Sequence, residues 1–426
     1  MIHFPSTRLV SHCISLDLFR VKPDMLPGPT WSRLHARDST CDNLTLATHH
    51  LIFLRLHHFT ARTLCASTCK DPSMAEENPF ARLFNAASDA GTIATLAQLA
   101  PSSSPIGKIE IKLIASNPKT ATYHCISYDR SREWEKKDLI VDGQPMPTPL
   151  PLEQALRCFR HATEPVLVWA DLLTGDSPQD RSKQALVMKE VVENALAVTC
   201  FLDAGNELST KAYAVLQTVA NWWNQAALTF DFPNRLSLVT HRKIEDMRAS
   251  LYSRDVFEIQ LSDARLWREI ENTLSAPYFK STGALADIIL GKQVLLRSGA
   301  ASISWDNLNK ASRALMFVLP GAGKEVSEAV KKSFELIRSI DISVQRRQKG
   351  DTLEMLPMIH STCQGTITAD MRKFVFAVLP VVTPSNRTTS FGRKPEPLPT
   401  ADYTKTVDQV FIEAGKYIIG DRQDLF

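Results

Sequence analysis

The chain of 426 residues has no apolar run long enough to cross a bilayer. A spanning helix needs about 18 or more uncharged residues, and the nearest candidate, 51–56, is already cut by Arg55. Neither a membrane span nor membrane association is expected. Excess charge is also lacking. Lys and Arg number 49 against 46 Asp and Glu, for a formal charge of +3, so no concentrated basic face argues for nucleic-acid binding. The 8 cysteines do not form a disulfide framework: Cys125, Cys158, Cys200 and Cys363 stand singly, and no secretory signal pattern precedes them. That combination points to a reducing, cytoplasmic setting. Internal repeats are missing too.

What remains is the composition of a globular protein, 44% hydrophobic and 22% charged, with enough apolar material for a sizeable core. Residues 1–75 differ from the rest, being rich in His and broken by Pro5, Pro23, Pro27 and Pro29. Three readings of this stretch stand. Cys65 and Cys69 with His57 and His58 have poor spacing for zinc. An organelle transit peptide would show an Arg-rich amphipathic helix. A disordered leader, or upstream sequence ahead of a start at Met74, is the expectation, with no metal site and no cofactor.

From Met74 onward, apolar spacing predicts a loose helix over 78–99 and strands over 109–113 and 123–128. A hairpin is expected around Asp142-Gly143, then a helix over 150–161. The clearest stretch runs from Pro165 to Asp203. Val166, Leu167, Val168 and Trp169 suit a strand buried on both faces. Asp171 ends it, and a turn of Thr174 to Ser177 follows. Ser177 with Asp180 resembles a capping box, with Pro178 at the first helical position. Ala185, Met188, Val191, Val192 and Ala195 make one apolar stripe, and 196–202 reads as a second strand. Strand, helix, strand with short joins predicts a crossover and direct parallel pairing of the two strands. Ligands of such sheets bind at the carboxyl ends of the strands, where Asp171 sits. Beyond Asp203, helices are expected over 207–225, 242–252, 261–274, 304–316, 325–345 and 406–419. Strand-like runs interrupt them at 292–297 and 374–381, and a loop is expected over 384–399.

The order of these elements and their residues resembles the fungal heterokaryon-incompatibility (HET) domain across 108–420. Tyr123-x-x-Ile126-Ser127-Tyr128, the Asp142-Gly143 hairpin and Leu152 with Ala155-Leu156-Arg157 are similar to its opening. Trp169-Ala170-Asp171 resembles its Trp-Ile-Asp, and Arg181-Ser182-x-Gln184 its Glu-Arg-x-x-Gln helix. Further on, Pro277-Tyr278-Phe279, Ile303-Ser304-Trp305, Asp370-Met371-Arg372-Lys373 and Asp402-Tyr403-Thr404-Lys405 echo later blocks. The polar signature is altered. Arg130-Ser131 replaces Trp-Gly, Leu173-Thr174-Gly175-Asp176 replaces Cys-Ile-Asn-Gln, and the Arg-x-Trp-x-x-Gln-Glu block has become Ser281, Gly283, Ala286 and Asp287.

The resemblance implies an α/β fold with a parallel-sheet core of the TIR/flavodoxin-like type. The HET domain would span 76–310, with its α/β core at about 108–205, and a mainly helical extension would fill 311–426. It implies a role in fungal non-self recognition and programmed cell-death signalling through protein partners, with a homo-oligomer allowed and a drifted, non-catalytic site. The alternative is a TIR-like hydrolase that cleaves NAD with a carboxylate, for which Asp171 and Asp180 are the candidates. Each acid also has a plain structural reading, Asp171 as a turn carboxylate and Asp180 as a helix cap. The positions that match the family motifs are Ser127, Tyr128, Trp169, Asp171, Arg181, Gln184, Phe279, Trp305, Asp402 and Tyr403. Pro320-Gly321-Ala322-Gly323-Lys324 falls short of a phosphate loop because Glu325 stands where a hydroxyl is required. His124 and the Trp222-Trp223 pair read as structural.

Overall fold

The computed structural model describes residues 93–104, 106–130, 133–174, 177–230, 263–318, 327–363, 368–384 and 396–421, all within the unit that begins at Glu76. Expectations for the leader, the 242–252 helix, the 320–324 segment and most of the 384–399 loop lie outside the described residues.

The fold is α/β, built on a mixed nine-stranded sheet. Its strands are β1 (Ala94–Leu99), β2 (Glu110–Ser116), β3 (His124–Tyr128), β4 (Lys136–Val141), β5 (Gln144–Pro149), β6 (Val166–Trp169), β7 (Val198–Asp203), β8 (Val294–Ser298) and β9 (Ala301–Ser304). They lie in the order β5-β4-β2-β1-β6-β3-β7-β8-β9. The helices are α1 (Leu150–Phe159), α2 (Pro178–Asn194), α3 (Glu207–Phe230), α4 (Ala264–Leu274), α5 (Thr282–Leu290), α6 (Trp305–Val318), α7 (Glu328–Gln348), α8 (Met355–Cys363), the short α9 (Lys373–Phe376) and α10 (Val407–Asp421).

Strands β6, β3, β7 and β8 run parallel. The expectation of direct pairing between 166–169 and 196–202 is corrected here: the two strands are co-directional, but β3 lies between them. The reason is the covering of β3, whose residues from Cys125 to Tyr128 are all buried. A strand with no wet face needs a layer on each side. Ile126 and Tyr128 pack with Leu152, Ala155 and Leu156 of α1, while Cys125 joins Val191 and Val192 of α2 and the helices behind them. The chain leaves β3 for β6 on one flank, then crosses back to β7 on the other.

Two other expectations are corrected. Residues 94–99 form a strand and not the end of a helix, paired antiparallel with both β2 and β6. Ala, Leu and Gln favour helix, yet burial between two partners decides the outcome. The apolar run 374–381 forms α9 and the turns after it. It is apolar all round because Phe374, Val375, Phe376, Val378, Leu379 and Val381 are all buried, so its pattern lacks a period to read.

The β5 edge is protected. At β5, Pro145, Pro147 and Pro149 alternate along the strand, which removes donors from the side facing away from β4. The Asp142-Gly143 turn has φ of 49° and 81°, the left-handed pair that suits a two-residue hairpin, and Asp142 Oδ1 accepts from the Leu113 amide at 3.1 Å.

Beyond β7 the chain is pressed against the β8–β9 turn. Asp203 accepts the Gly205 amide at 2.8 Å and the Ser298 hydroxyl. Gly205 has φ +62°, and a Cβ on it would lie 2.6 Å from the Ser298 carbonyl oxygen. Gly205→Ala is therefore expected to cost about 1–3 kcal/mol from backbone strain alone. Urea unfolding should show a lower midpoint with an unchanged slope.

Candidate functional site

The two crossovers diverge beyond the carboxyl end of β3, the kind of place where open α/β sheets bind ligands. A cleft of about 520 Å³ opens there. Tyr128 at the end of β3, Arg130, Glu133 and Trp134 after it and Lys136 at the start of β4 form one side, and the end of β6 supplies Trp169 and Asp171. Arg181, Gln184, Ala185 and Met188 come from α2, and Ser281, Thr282 and Gly283 from the start of α5. Lys373, Phe376 and Tyr403 close the far side.

Sequence blocks that stand far apart meet at this wall. The Arg372 guanidinium holds Asp370 through two bonds of 2.9 and 3.0 Å. It also donates to the carbonyls of Tyr403 at 2.7 Å and Lys405 at 2.9 Å. The Tyr403 amide donates to Ser182 Oγ at 2.9 Å, which ties this corner to α2. The Tyr403 ring packs edge-on against Phe376 at 4.8 Å. Burial pushes the Tyr403 phenol above its usual range, against the pull of Arg130, Arg181 and Arg372.

Arg130 sits at the cleft floor. It forms an ion pair with Asp171 and lies 5.8 Å from the Tyr128 ring centre. It passes over Gly283, where a Cβ would stand 2.5 Å from its Nη2. Beneath it lies a buried polar cluster. Ser127 Oγ donates to Asp287 Oδ2 at 2.5 Å, and the Tyr278 hydroxyl lies 2.9 Å from Ser127 Oγ and 3.0 Å from Cys200 Sγ. Asp287 Oδ1 is buried without a partner. Burial raises the Asp287 carboxyl above its ordinary value, opposed by Arg130 and by the Ser127 bond. Burial also raises the thiols of Cys125 and Cys200. They stay protonated at neutral pH, which disqualifies them as nucleophiles.

The positions singled out from sequence divide into two groups. Tyr128, Trp169, Asp171, Arg181, Gln184 and Tyr403 line the cleft. Ser127 lies just under it. Phe279 and Trp305 are core, their rings 6.2 Å apart, and Asp402 organises a turn by accepting from the Thr404 amide and hydroxyl. Asp180 is outside the lining. Its Oδ2 accepts from Ser177 Oγ at 2.6 Å, and its amide donates to that same oxygen at 3.1 Å. His124 packs 5.3 Å from the Phe159 ring, and Trp222 and Trp223 are buried in the core. Sequence reasoning did not select Arg130, Glu133, Trp134, Lys136, Gly283, Lys373 or Phe376 of the lining, nor Asp287 beneath it. Asp287 carried a signal: it is the single charge in α5, where every residue from Ala284 to Leu290 is buried.

Among the described residues, no group of three or more His, Cys, Asp or Glu is arranged to hold a metal ion, and no helix is long and apolar enough to cross a membrane. Comparison with family models, with curated proteins and with solved structures returns no match, so the functional reading stands on the cleft and the motifs that meet in it.

A carboxyl whose folded-state value is raised stabilises the fold fully below its unfolded value near 3.9. That stability is lost as pH rises through the folded value. Asp287→Asn removes this titration. The variant should equal the wild type in stability well below the unfolded value and exceed it increasingly as pH rises through the raised folded value, measured by urea unfolding at several pH values. A constant gap between the two would contradict the assignment.

Proposed function

We propose that this chain is a fungal HET-domain protein of non-self recognition and cell-death signalling, whose cleft recognises a ligand or partner without turning it over. The observation that carries the reading is convergence. Tyr128, Trp169, Asp171, Arg181, Gln184 and Tyr403, matched to HET motifs across almost the whole described chain, line one cleft. Unrelated weak matches would scatter over the surface and core. The parallel block β6-β3-β7-β8 suits a core of the TIR/flavodoxin-like kind, and we read the helices after Ser304 as the extension of the HET region. Signalling through protein partners belongs to the same proposal.

The competing reading is a hydrolase that cleaves NAD. In its favour, Asp171 lines the cleft. Against it, Arg130 neutralises that carboxylate, and a catalytic base needs its lone pairs available to the reacting atoms. Asp180, the other candidate, is held in the α2 cap.

Induced expression of the full chain in a filamentous fungus is expected to arrest growth, and the double variant Arg130→Gln/Arg181→Gln to restore it. Failure of the wild type to arrest growth overturns the signalling role. In parallel, the purified chain should leave NAD intact over hours. Nicotinamide release that disappears in Asp171→Asn would transfer the case to the hydrolase.

A further inference from the structure

We propose that the cleft binds a phosphomonoester that carries an aromatic ring, as a nucleoside monophosphate does, and that Asp171 is a built-in competitor that occupies Arg130 until the ligand's phosphate replaces it. This rests on the cleft being the working site of the molecule.

Charge is the first observation. Arg130, Lys136, Arg181 and Lys373 line the cleft against two carboxylates, Glu133 and Asp171. Cations gathered on a concave, low-dielectric wall raise the local concentration of anions. A guanidinium meets phosphate oxygens with a fork of donors that suits a dianion. The second observation is the wall itself. Trp134, Trp169, Phe376 and Tyr403 give it aromatic surface, which an inorganic anion would leave unused. A planar ring carried on the same molecule as the phosphate satisfies both parts of the lining, in the usual pattern of an apolar pocket with a few convergent polar groups.

The third observation is the seating of Arg130. Its guanidinium and the Asp171 carboxylate are both part-exposed, at 32% and 22%, so the pair faces the cleft. Gly283 leaves the space that Nη2 occupies, and the buried Asp287 carboxyl lies near enough to feel the Arg130 charge. An anion entering the cleft meets a pre-oriented guanidinium whose present partner is another anion. Exchange of one for the other forms new hydrogen bonds to phosphate and breaks the Arg130–Asp171 ion pair. No covalent bond changes.

The competition makes an unusual demand. Removing a carboxylate from the site must strengthen binding, whereas removing a structural or catalytic acid would weaken it or leave it unchanged. Calorimetric titration of the full chain with adenosine 5′-monophosphate, adenosine and inorganic phosphate tests this. The monophosphate is expected to bind, adenosine not to bind, and inorganic phosphate to bind at least tenfold more weakly. Asp171→Asn should tighten the monophosphate about tenfold, and Arg130→Gln should weaken it at least tenfold. Gly283→Ala, which displaces Arg130 without altering any charge, should also weaken it. Thermal unfolding of each variant separates lost binding from lost fold, and Arg130→Lys offers a milder replacement if the glutamine variant does not fold. No binding of the monophosphate to either the wild type or Asp171→Asn overturns the proposal, as does an affinity that Asp171→Asn lowers or leaves unchanged. Growth arrest without monophosphate binding counts against this inference alone, and binding without arrest counts against the signalling role alone.

Discussion

The dry environment of β3 organises this molecule. Four of its five residues are buried, and a strand with no wet face must be covered on both sides. Helix α1 provides one cover, and α2 with the helices packed behind it provides the other. Because the covers lie on opposite faces, the chain leaves β3 toward β6 and later returns past it to β7. That divergence opens a gap beyond Tyr128 and Trp169 that no crossover fills. The cleft is a consequence of how the sheet is covered, before any particular side chain is placed in it.

Charge placement follows from the same geometry. Ser127 and Tyr128 are consecutive, so they point to opposite faces of the sheet. Tyr128 packs with the α1 side and borders the cleft, while Ser127 faces α5 and meets Asp287. A carboxylate buried in α5 is costly unless something offsets it. Ser127 supplies a hydrogen bond and Arg130, two residues past the strand end, supplies charge. Arg130 thereby serves two acids, one buried and one at the cleft surface. The floor of the cleft and the polar cluster under it form one electrostatic unit.

Much of this was legible in the sequence, and the misses have physical causes. The 165–203 stretch announced β6, α2 and β7 because a four-residue apolar block, a proline-started helix and a second apolar block are each local signals. Their separation by β3 was not legible, since strand order depends on which faces need covering and no local pattern records that. Strand β1 was hidden because Ile93, Leu96 and Leu99 fall at helical spacing, while burial on both faces erased the alternation that would have marked a strand. Among site residues, Trp169 and Tyr403 could be selected from motif resemblance. Arg130 and Asp287 could not, because both stand where the resemblance breaks down.

Those breaks are informative when placed in space. On the proposed resemblance, Arg130 stands where the HET pattern has Trp, and Gly283 where the later block has a second Trp. In the fold the two positions touch: the Arg130 side chain occupies the space that any side chain at 283 would need. Asp287, a third altered position, lies under the same guanidinium. Here the absence of a side chain at 283 accommodates the long Arg130 cation, and the buried Asp287 carboxyl lies near enough to feel its charge. Under the proposed HET reading, this mutual fit suits a cleft organised around Arg130.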